Sequence, residues 1–194
     1  MSKSVARVRA ALQSAGATGT EIREMDASTR TAAEAAAAVG CTIDQIVKSI
    51  VMQRADDGAL VLFLTAGGNR ICAERSAEVA GGALARADAQ AVRDRTGFAI
   101  GGVAPVGHLA PLRCFLDPRL LDFGRVWAAA GTPRHVFAIA PAVLQRLSGA
   151  EAVAFTEAGP STGPSTGPST GAESGAEAGA GAESGPGAAP VGGP

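Results

Sequence analysis

The sequence is poor in the side chains that metal proteins and hydrolases most often use. It has no tyrosine, one tryptophan, two histidines and three widely separated cysteines, with no Cys-x-x-Cys pair. This composition disfavours a structural zinc site and gives no disulfide framework. No P-loop, dinucleotide fingerprint or Gly-x-Ser-x-Gly elbow occurs, and no Ser-His-Asp arrangement can be assembled. The sequence therefore predicts no metal and no cofactor.

Long apolar segments are also missing. No run is long enough to span a bilayer, and the first residues do not have the pattern of a signal peptide. Together with the sparse cysteines, this predicts a cytoplasmic, reducing setting and no membrane partner.

Aliphatic side chains become scarce after Phe155. The unit Gly-Pro-Ser-Thr then repeats with a period of four, and glutamate supplies the remaining charges. Because such a composition cannot bury enough apolar surface to offset the entropy of ordering, we predict a disordered tail over residues 157–194. Residues 1–156 suit one domain with a proper core.

The predicted domain is mildly basic. All 17 Lys and Arg lie in residues 1–156, against 14 of the 18 acidic residues, which leaves three more positive than negative charges there. That excess is compatible with contact to a phosphate backbone. Arginines at 70, 75, 86, 93 and 95 either form a phosphate-facing patch or are dispersed for solvation.

Hydrophobic periodicity predicts short helices and strands in irregular alternation. In the first helix, Val5, Val8 and Leu12 share one face, and Arg7 and Arg9 should point outward. Ser28 or Thr29 should cap the second helix. The pattern predicts an α+β domain around a mixed sheet. Helices are expected at 4–15, 32–39, 72–80, 88–95 and 140–147, with a helical turn after Asp117, and strands at 20–25, 46–52, 60–65, near 84, and at 113–116, 125–129, 136–139 and 152–155.

The segment 96–108 (TGFAIGGVAPVGH) fits neither a helix nor a plain strand. Its apolar residues can pack, while Gly101 and Gly102 leave bare backbone that a ligand can approach closely. Pro105 removes an N–H donor, so a central strand should not continue through it. Two interpretations remain open: a strand that ends in exposed amides beside a pocket, or a tight turn with a bulge.

Lys48 is the most informative single side chain. It is one of two lysines, against 15 arginines, and apolar residues flank it on both sides. It lies either on the wet face of a strand or in a polar pocket. His108 and His135 are interpreted as structural histidines. Asp117 is interpreted as a helix cap and Asp122 as a solvent-facing residue.

Three blocks in this order resemble the YbaK/prolyl-tRNA-synthetase-associated domain family. They are residues 44–51 (DQIVKSIV), 96–107 (TGFAIGGVAPVG) and 127–133 (WAAAGTP). The similarity runs from about residue 5 to 155, and it implies a curled mixed sheet flanked by helices. Members are aminoacyl-tRNA deacylases. The resemblance thus implies a trans-editing hydrolase that removes a small non-cognate amino acid from aminoacyl-tRNA, typically tRNA for proline, and a possible prolyl-tRNA synthetase partner.

The resemblance also implies roles for individual residues. The lysine that matches Lys48 lines the active site, and the pair that matches Gly101 and Gly102 offers backbone amides to the scissile carbonyl. The family is thought to lack a protein general base and to use a ribose hydroxyl of the substrate to position water. The implied substrate-binding residues are Met25, Thr29, Ser49, Gly131, Thr132 and His135.

The chain departs from the cysteinyl-tRNA-specific members of that family. They carry aromatic residues where this chain has residues 24–30 (EMDASTR), and an acidic residue after a small-Gly-Gly loop where it has 129–135 (AAGTPRH). The amino acid removed is therefore left open among alanine, cysteine, serine, threonine and 2-aminobutyrate. The alternatives are a non-catalytic tRNA- or synthetase-binding module of the same fold, and an α+β domain that binds an unrelated ligand.

Overall fold

The computed structural model describes residues 2–25 and 31–157. Nearly all of the predicted tail, from residue 158 onward, lies outside the described residues, and so does Thr29. The boundary between domain and tail therefore stays a prediction.

The described residues form an α+β fold around one mixed, curled sheet, which confirms the predicted fold class. The predicted closing strand 152–155 is misplaced and too long, because the strand there consists only of Glu151 and Ala152. The helices are α1 (Lys3–Ser14), α2 (Ala32–Val39), α3 (Ala73–Ala80), α4 (Ala89–Thr96) and α5 (Pro141–Ser148), with 3-10 helices at Ile43–Gln45 and Pro118–Asp122. The strands are β1 (Ile22–Glu24), β2 (Ile46–Arg54), β3 (Leu60–Ala66), β4 (Leu84–Arg86), β5 (Arg113–Leu116), β6 (Val126–Ala129), β7 (His135–Ile139) and β8 (Glu151–Ala152).

Local sequence explains where the helices begin. The cap of α2 is Thr31, so the prediction of Ser28 or Thr29 was wrong. Thr31 and Glu34 form a reciprocal capping box, in which each side chain accepts from the other residue's backbone N–H. This arrangement satisfies two of the unpaired donors at the helix start. Asp88 caps α4 in a similar way by accepting from the backbone N–H groups of Gln90 and Ala91.

The central strand β2 has an interrupted edge. On one side it pairs antiparallel with β3 from Val47 to Gln53. On the other side it pairs with β6 only at Ile46 and Val47, and with β4 only from Met52 to Arg54. Within residues 2–25 and 31–157, nothing pairs with 48–51 along this edge, and an unpaired edge presents backbone donors and acceptors. The candidate site lies beside this unpaired part of the β2 edge.

Apolar side chains cover both faces of the sheet. On one face, α1, α4 and α5 pack over a core whose fully buried members include Leu62, Leu64, Phe98, Leu116 and Phe137. On the other face, Phe63 stacks on Phe115 with ring centroids 5.4 Å apart and meets Phe155 edge-on at 4.9 Å. Burying each such side chain contributes about 1.5–3 kcal/mol. None of the described helices combines the length and apolar character needed to cross a bilayer.

Candidate functional site

The glycine-rich segment is a turn, and no strand forms in it. The carbonyl of Ala99 accepts from the N–H of Gly102 at 3.0 Å. Gly101, at the third position of this four-residue turn, has φ +90°, as a type II turn requires. Of the two interpretations left open by the sequence, the strand is wrong and the turn describes the structure.

Arg7 of α1 ties the two ends of this segment together. Its Nε donates to the carbonyl of Gly107 and its Nη2 to that of Gly97, both at 2.7 Å. Its guanidinium also lies 4.6 Å from the centre of the Phe98 ring. A Cβ on Gly97 would lie 2.5 Å from Nη2, so only glycine leaves room for this contact. The prediction that Arg7 points outward was wrong, because its long side chain reaches back to the loop.

We expect Arg7→Ala to destabilise the fold by about 1.5–3 kcal/mol, since two hydrogen bonds from a charged donor are lost. Urea unfolding measures this directly. Arg9→Ala is the matched control, because Arg9 is an exposed arginine of the same helix and no contact of it to the glycine segment is present among the described residues. Equal free energies of unfolding for Arg7→Ala and Arg9→Ala would show that the hydrogen bonds of Arg7 to Gly97 and Gly107 contribute nothing to stability.

A cavity of about 250 Å³ opens beside the interrupted edge of β2. Its walls come from β2, the first turn of α2, the turn at residues 99–102 (the glycine turn) with Val103 after it, and the segment from Ala129 to Val136. Five residues that the resemblance singled out line it together, although they are far apart in the chain: Lys48, Ser49, Gly101, Thr132 and His135.

Of the other implied site residues, Thr29 lies outside the described residues, and Gly102, Met25 and Gly131 do not line this cavity. Gly102 is buried, its N–H is engaged by Ala99, and a Cβ there would lie 2.7 Å from the Thr132 Cα. Gly102 therefore permits close packing of two loops and has no amide available for a substrate here. Met25 is buried behind the wall, and its N–H donates to the Arg134 carbonyl at 2.7 Å. Gly131 lies against Ser4, where a Cβ would be 2.9 Å from the Ser4 carbonyl carbon.

Lys48 occupies a polar pocket. Its side chain is half-buried, and its ammonium donates to the backbone carbonyl of Asn69. Burial lowers the pKa of Lys48, and the neighbouring Arg70 lowers it further, whereas the carboxylates of Asp117 and Asp44 act in the opposite direction. Of the two interpretations left open by the sequence, the polar pocket is the one that the structure shows.

Two polar groups at the cavity have no partner among the described residues. One is the N–H of the exposed residue Gly101, for which no acceptor is present in residues 2–25 and 31–157. The other is the buried hydroxyl of Ser49. Because buried polar groups in native proteins are nearly always hydrogen-bonded, an unpaired hydroxyl at a cavity wall indicates a place for a ligand's polar group.

Both histidines are hydrogen-bonded. His135 Nδ1 lies 2.7 Å from the Thr132 hydroxyl, and its Nε2 lies 3.8 Å from a Glu24 oxygen. His108 Nε2 lies 2.7 Å from the Ala104 carbonyl, and burial lowers its pKa. His108 is thus held as a neutral structural residue, whereas His135 is held at the cavity wall. Among residues 2–25 and 31–157, no three His, Cys, Asp or Glu side chains come together as a metal site would require.

A larger cavity, of about 600 Å³, lies near the turn between β2 and β3. Three arginines line it, but each already has an acceptor: Arg54 bonds Asp56, Arg95 bonds the Pro111 carbonyl and Arg113 bonds the Ala80 carbonyl. Its polar groups are therefore satisfied within the protein. The smaller cavity, with its unpaired donors, is the better candidate for a functional site.

Comparison with known proteins gives a consistent result. The family model of the aminoacyl-tRNA editing domain matches residues 26–147. The uncharacterized protein YwhH of Bacillus subtilis is 27% identical over 128 residues, which cover 66% of this chain and 81% of that protein. A crystal structure of a candidate trans-editing enzyme for prolyl-tRNA synthetase shares 46% identity and a TM-score of 0.76, covering 81% of this chain and 99% of the other. The hypothetical protein APE2540 shares 28% identity and a TM-score of 0.71, with 78% and 99% coverage.

Proposed function

We propose that this chain, which belongs to the aminoacyl-tRNA editing domain family, hydrolyses the ester that joins a small non-cognate amino acid to the terminal ribose of a tRNA. The expected tRNA is that for proline, since a structure 46% identical to this chain is a candidate trans-editing enzyme for prolyl-tRNA synthetase. The observation that carries the proposal is that one cavity is lined both by Lys48 and by Gly101, whose N–H has no acceptor among the described residues.

The mechanism follows from these two groups. Water adds to the ester carbonyl carbon, and the negative charge that develops on the carbonyl oxygen is stabilised by the Gly101 N–H. The bond to the ribose oxygen then breaks, and that oxygen takes up a proton as the free amino acid forms. A preorganised donor of this kind stabilises the transition state without reorganisation. The Lys48 ammonium adds positive charge beside the ester or the terminal phosphate.

Cavity size and polarity favour a small substrate side chain. A volume of about 250 Å³ is modest, and Ala35 and Val103 contribute apolar wall to it. The Ser49 hydroxyl has no partner among the described residues, and we expect it to turn toward the cavity and accept from a primary α-ammonium group. Proline ties its side chain to the α-nitrogen in a ring, so its shape differs from that of the small amino acids and it should fit less well.

A panel of charged tRNAs tests the proposal. Proline tRNA carrying alanine, serine, threonine, cysteine or 2-aminobutyrate is incubated with the protein, and release of the amino acid is compared with hydrolysis in buffer. We expect rapid release of at least one of the small amino acids and little release of proline. Hydrolysis at the buffer rate for all of them would count decisively against an editing deacylase.

The rate should depend on pH through Lys48. Because burial lowers the pKa of Lys48, its ammonium form is lost at a lower pH than for an exposed lysine. The hydrolysis rate, corrected for the uncatalysed reaction, should therefore fall as pH rises through this lowered pKa. Lys3→Ala, which removes the exposed lysine, should show the same profile. If the rate does not fall at alkaline pH, or falls only near the pKa of an exposed lysine, the pH dependence does not come from Lys48.

A second candidate function is a non-catalytic tRNA- or synthetase-binding module. It is favoured by one observation, namely that one of the two implied amides, that of Gly102, is already bonded to Ala99. Such a module would bind tRNA with an affinity that falls steeply with salt, because phosphate contacts release counterions. Binding with this salt dependence and no hydrolysis would select it over the deacylase.

A further inference from the structure

Asp117 makes more contacts than a helix cap requires. Its Oδ1 accepts from the N–H of Arg119 at 3.1 Å, which is the capping bond that its position predicts. Its Oδ2 accepts two further bonds, from the Ala66 N–H at 3.1 Å and from the Asn69 side-chain amide at 2.8 Å. The residue is only 2% exposed. A buried carboxylate with a second oxygen aimed at another element has a role beyond its own turn.

The element that Oδ2 holds is the turn that follows β3. Asn69 closes this turn by donating its N–H to the Ala66 carbonyl at 3.0 Å. Asp44 fixes it from the opposite side by accepting from the Gly68 N–H at 3.1 Å. The backbone carbonyl of Asn69 is the acceptor of the Lys48 ammonium. A continuous series of hydrogen bonds thus runs from Asp117 through Asn69 to Lys48.

We propose that Asp117 is a positioning residue of the candidate site. Its carboxylate holds the Ala66–Asn69 turn so that the Asn69 carbonyl fixes the Lys48 ammonium at the cavity wall. A flexible four-carbon side chain has many rotamers, and a fixed acceptor restricts it to the one that serves the site. This role rests on the proposed function, because it acts through Lys48.

Asp117 also bears on the charge of Lys48. The charged groups that face the ammonium are Asp44 beside β2, Arg70 after the turn and Asp117 itself. Asp44 is shared with Arg119, whose Nη2 lies 3.2 Å from it. Removing the Asp117 charge should therefore lower the pKa of Lys48 further, because one of the two carboxylates that favour the ammonium is lost.

The first test needs no activity. Since the chain has only two lysines, isotope-labelled lysine gives two side-chain NMR signals, and Lys3→Arg assigns them. We expect Asp117→Asn to shift the Lys48 titration to lower pH, and Asp122→Asn, at the far end of the 3-10 helix that Asp117 caps, to leave it unchanged. An unchanged Lys48 titration in Asp117→Asn would overturn the proposal. If that variant does not fold, Asn69→Ala, which keeps the other bonds of Asp117, should alter the Lys48 signal, and an unaltered signal overturns the proposal equally.

The second test is a double-mutant cycle on the most readily hydrolysed charged tRNA. Asp117→Asn should lower kcat/KM about tenfold in the wild-type background and less than about twofold in a Lys48→Met background, because coupled residues are not additive. Equal factors in both backgrounds would mean that Asp117 acts on folding alone. If the wild-type protein hydrolyses none of the charged tRNAs, the proposed function fails, while the NMR titration still decides whether Asp117 controls Lys48.

Discussion

Replacing Lys48 by methionine is expected to lower kcat/KM for hydrolysis of the mischarged tRNA by about 100-fold, the typical effect of removing one preorganised group that stabilises a developing oxyanion. The side chain is half-buried, its ammonium donates to the Asn69 carbonyl, and Lys48 lines the cavity. Methionine keeps the length and apolar stem but cannot supply the charge.

The same substitution should leave the fold largely intact. A lowered pKa means that the charged lysine is less favourable in the folded state than in the unfolded one, so methionine removes this cost. It also leaves the Asn69 carbonyl without its donor, which costs about 1 kcal/mol. Thermal unfolding followed by circular dichroism checks this balance. Lys3→Met is the control, and hydrolysis by Lys48→Met within twofold of the Lys3→Met rate would remove Lys48 from the mechanism.

Replacing Gly102 by alanine is expected to have the second large effect, a loss of both stability and activity. The added Cβ would lie 2.7, 2.8 and 2.9 Å from three backbone atoms of Thr132. Backbone cannot move aside as a flexible side-chain end can, so the turn at residues 99–102 must shift away from the loop that carries Thr132 and leads into β7 at His135. Overpacking of this kind typically costs about 1–3 kcal/mol. Because both displaced segments line the cavity, we expect activity to fall far more than the loss of folded protein explains.

Two other glycines make this prediction specific. A Cβ at Gly124 would meet nothing within 4 Å, so Gly124→Ala is the control for the substitution itself. At Gly101 the nearest atom would be the Pro133 Cγ at 3.8 Å, so the space is open, but φ is +90°. Alanine there should be destabilising by about 1–2 kcal/mol through backbone strain alone. Urea unfolding and kcat/KM are measured for all three, and a Gly102→Ala variant that matches Gly124→Ala in both would show that the two loops are not tightly packed.

The secondary structure was largely predictable from local patterns. The stripe of Val5, Val8 and Leu12 places α1 correctly, and all three side chains are buried. Cys114 stands in an apolar run of the sequence and lies in the core, where burial raises the pKa of its thiol to about 12. Such features depend on neighbours within one or two turns, and those neighbours are visible in the sequence.

The site was only partly predictable. Lys48 is distinctive in the sequence because lysine is rare in this chain and its neighbours are apolar. Arg7 and the Asn69 carbonyl carry no comparable signal. Arg7 looks like any exposed helix residue, and its contacts with Gly97 and Gly107 span about a hundred positions of the chain. The backbone carbonyl of Asn69 is a group that every residue has.

By itself, the sequence determined the kinds of element, the family and the single unusual cation, because periodicity, composition and short motifs are local properties. Only the tertiary structure decided that one edge of β2 would have no strand partner among the described residues at 48–51, and that the turn at Gly101 would line the cavity there. It also decided that the Gly102 N–H would be taken by Ala99. Strand partners and hydrogen-bond acceptors are selected in competition among distant segments, and that competition is settled only when the whole core packs.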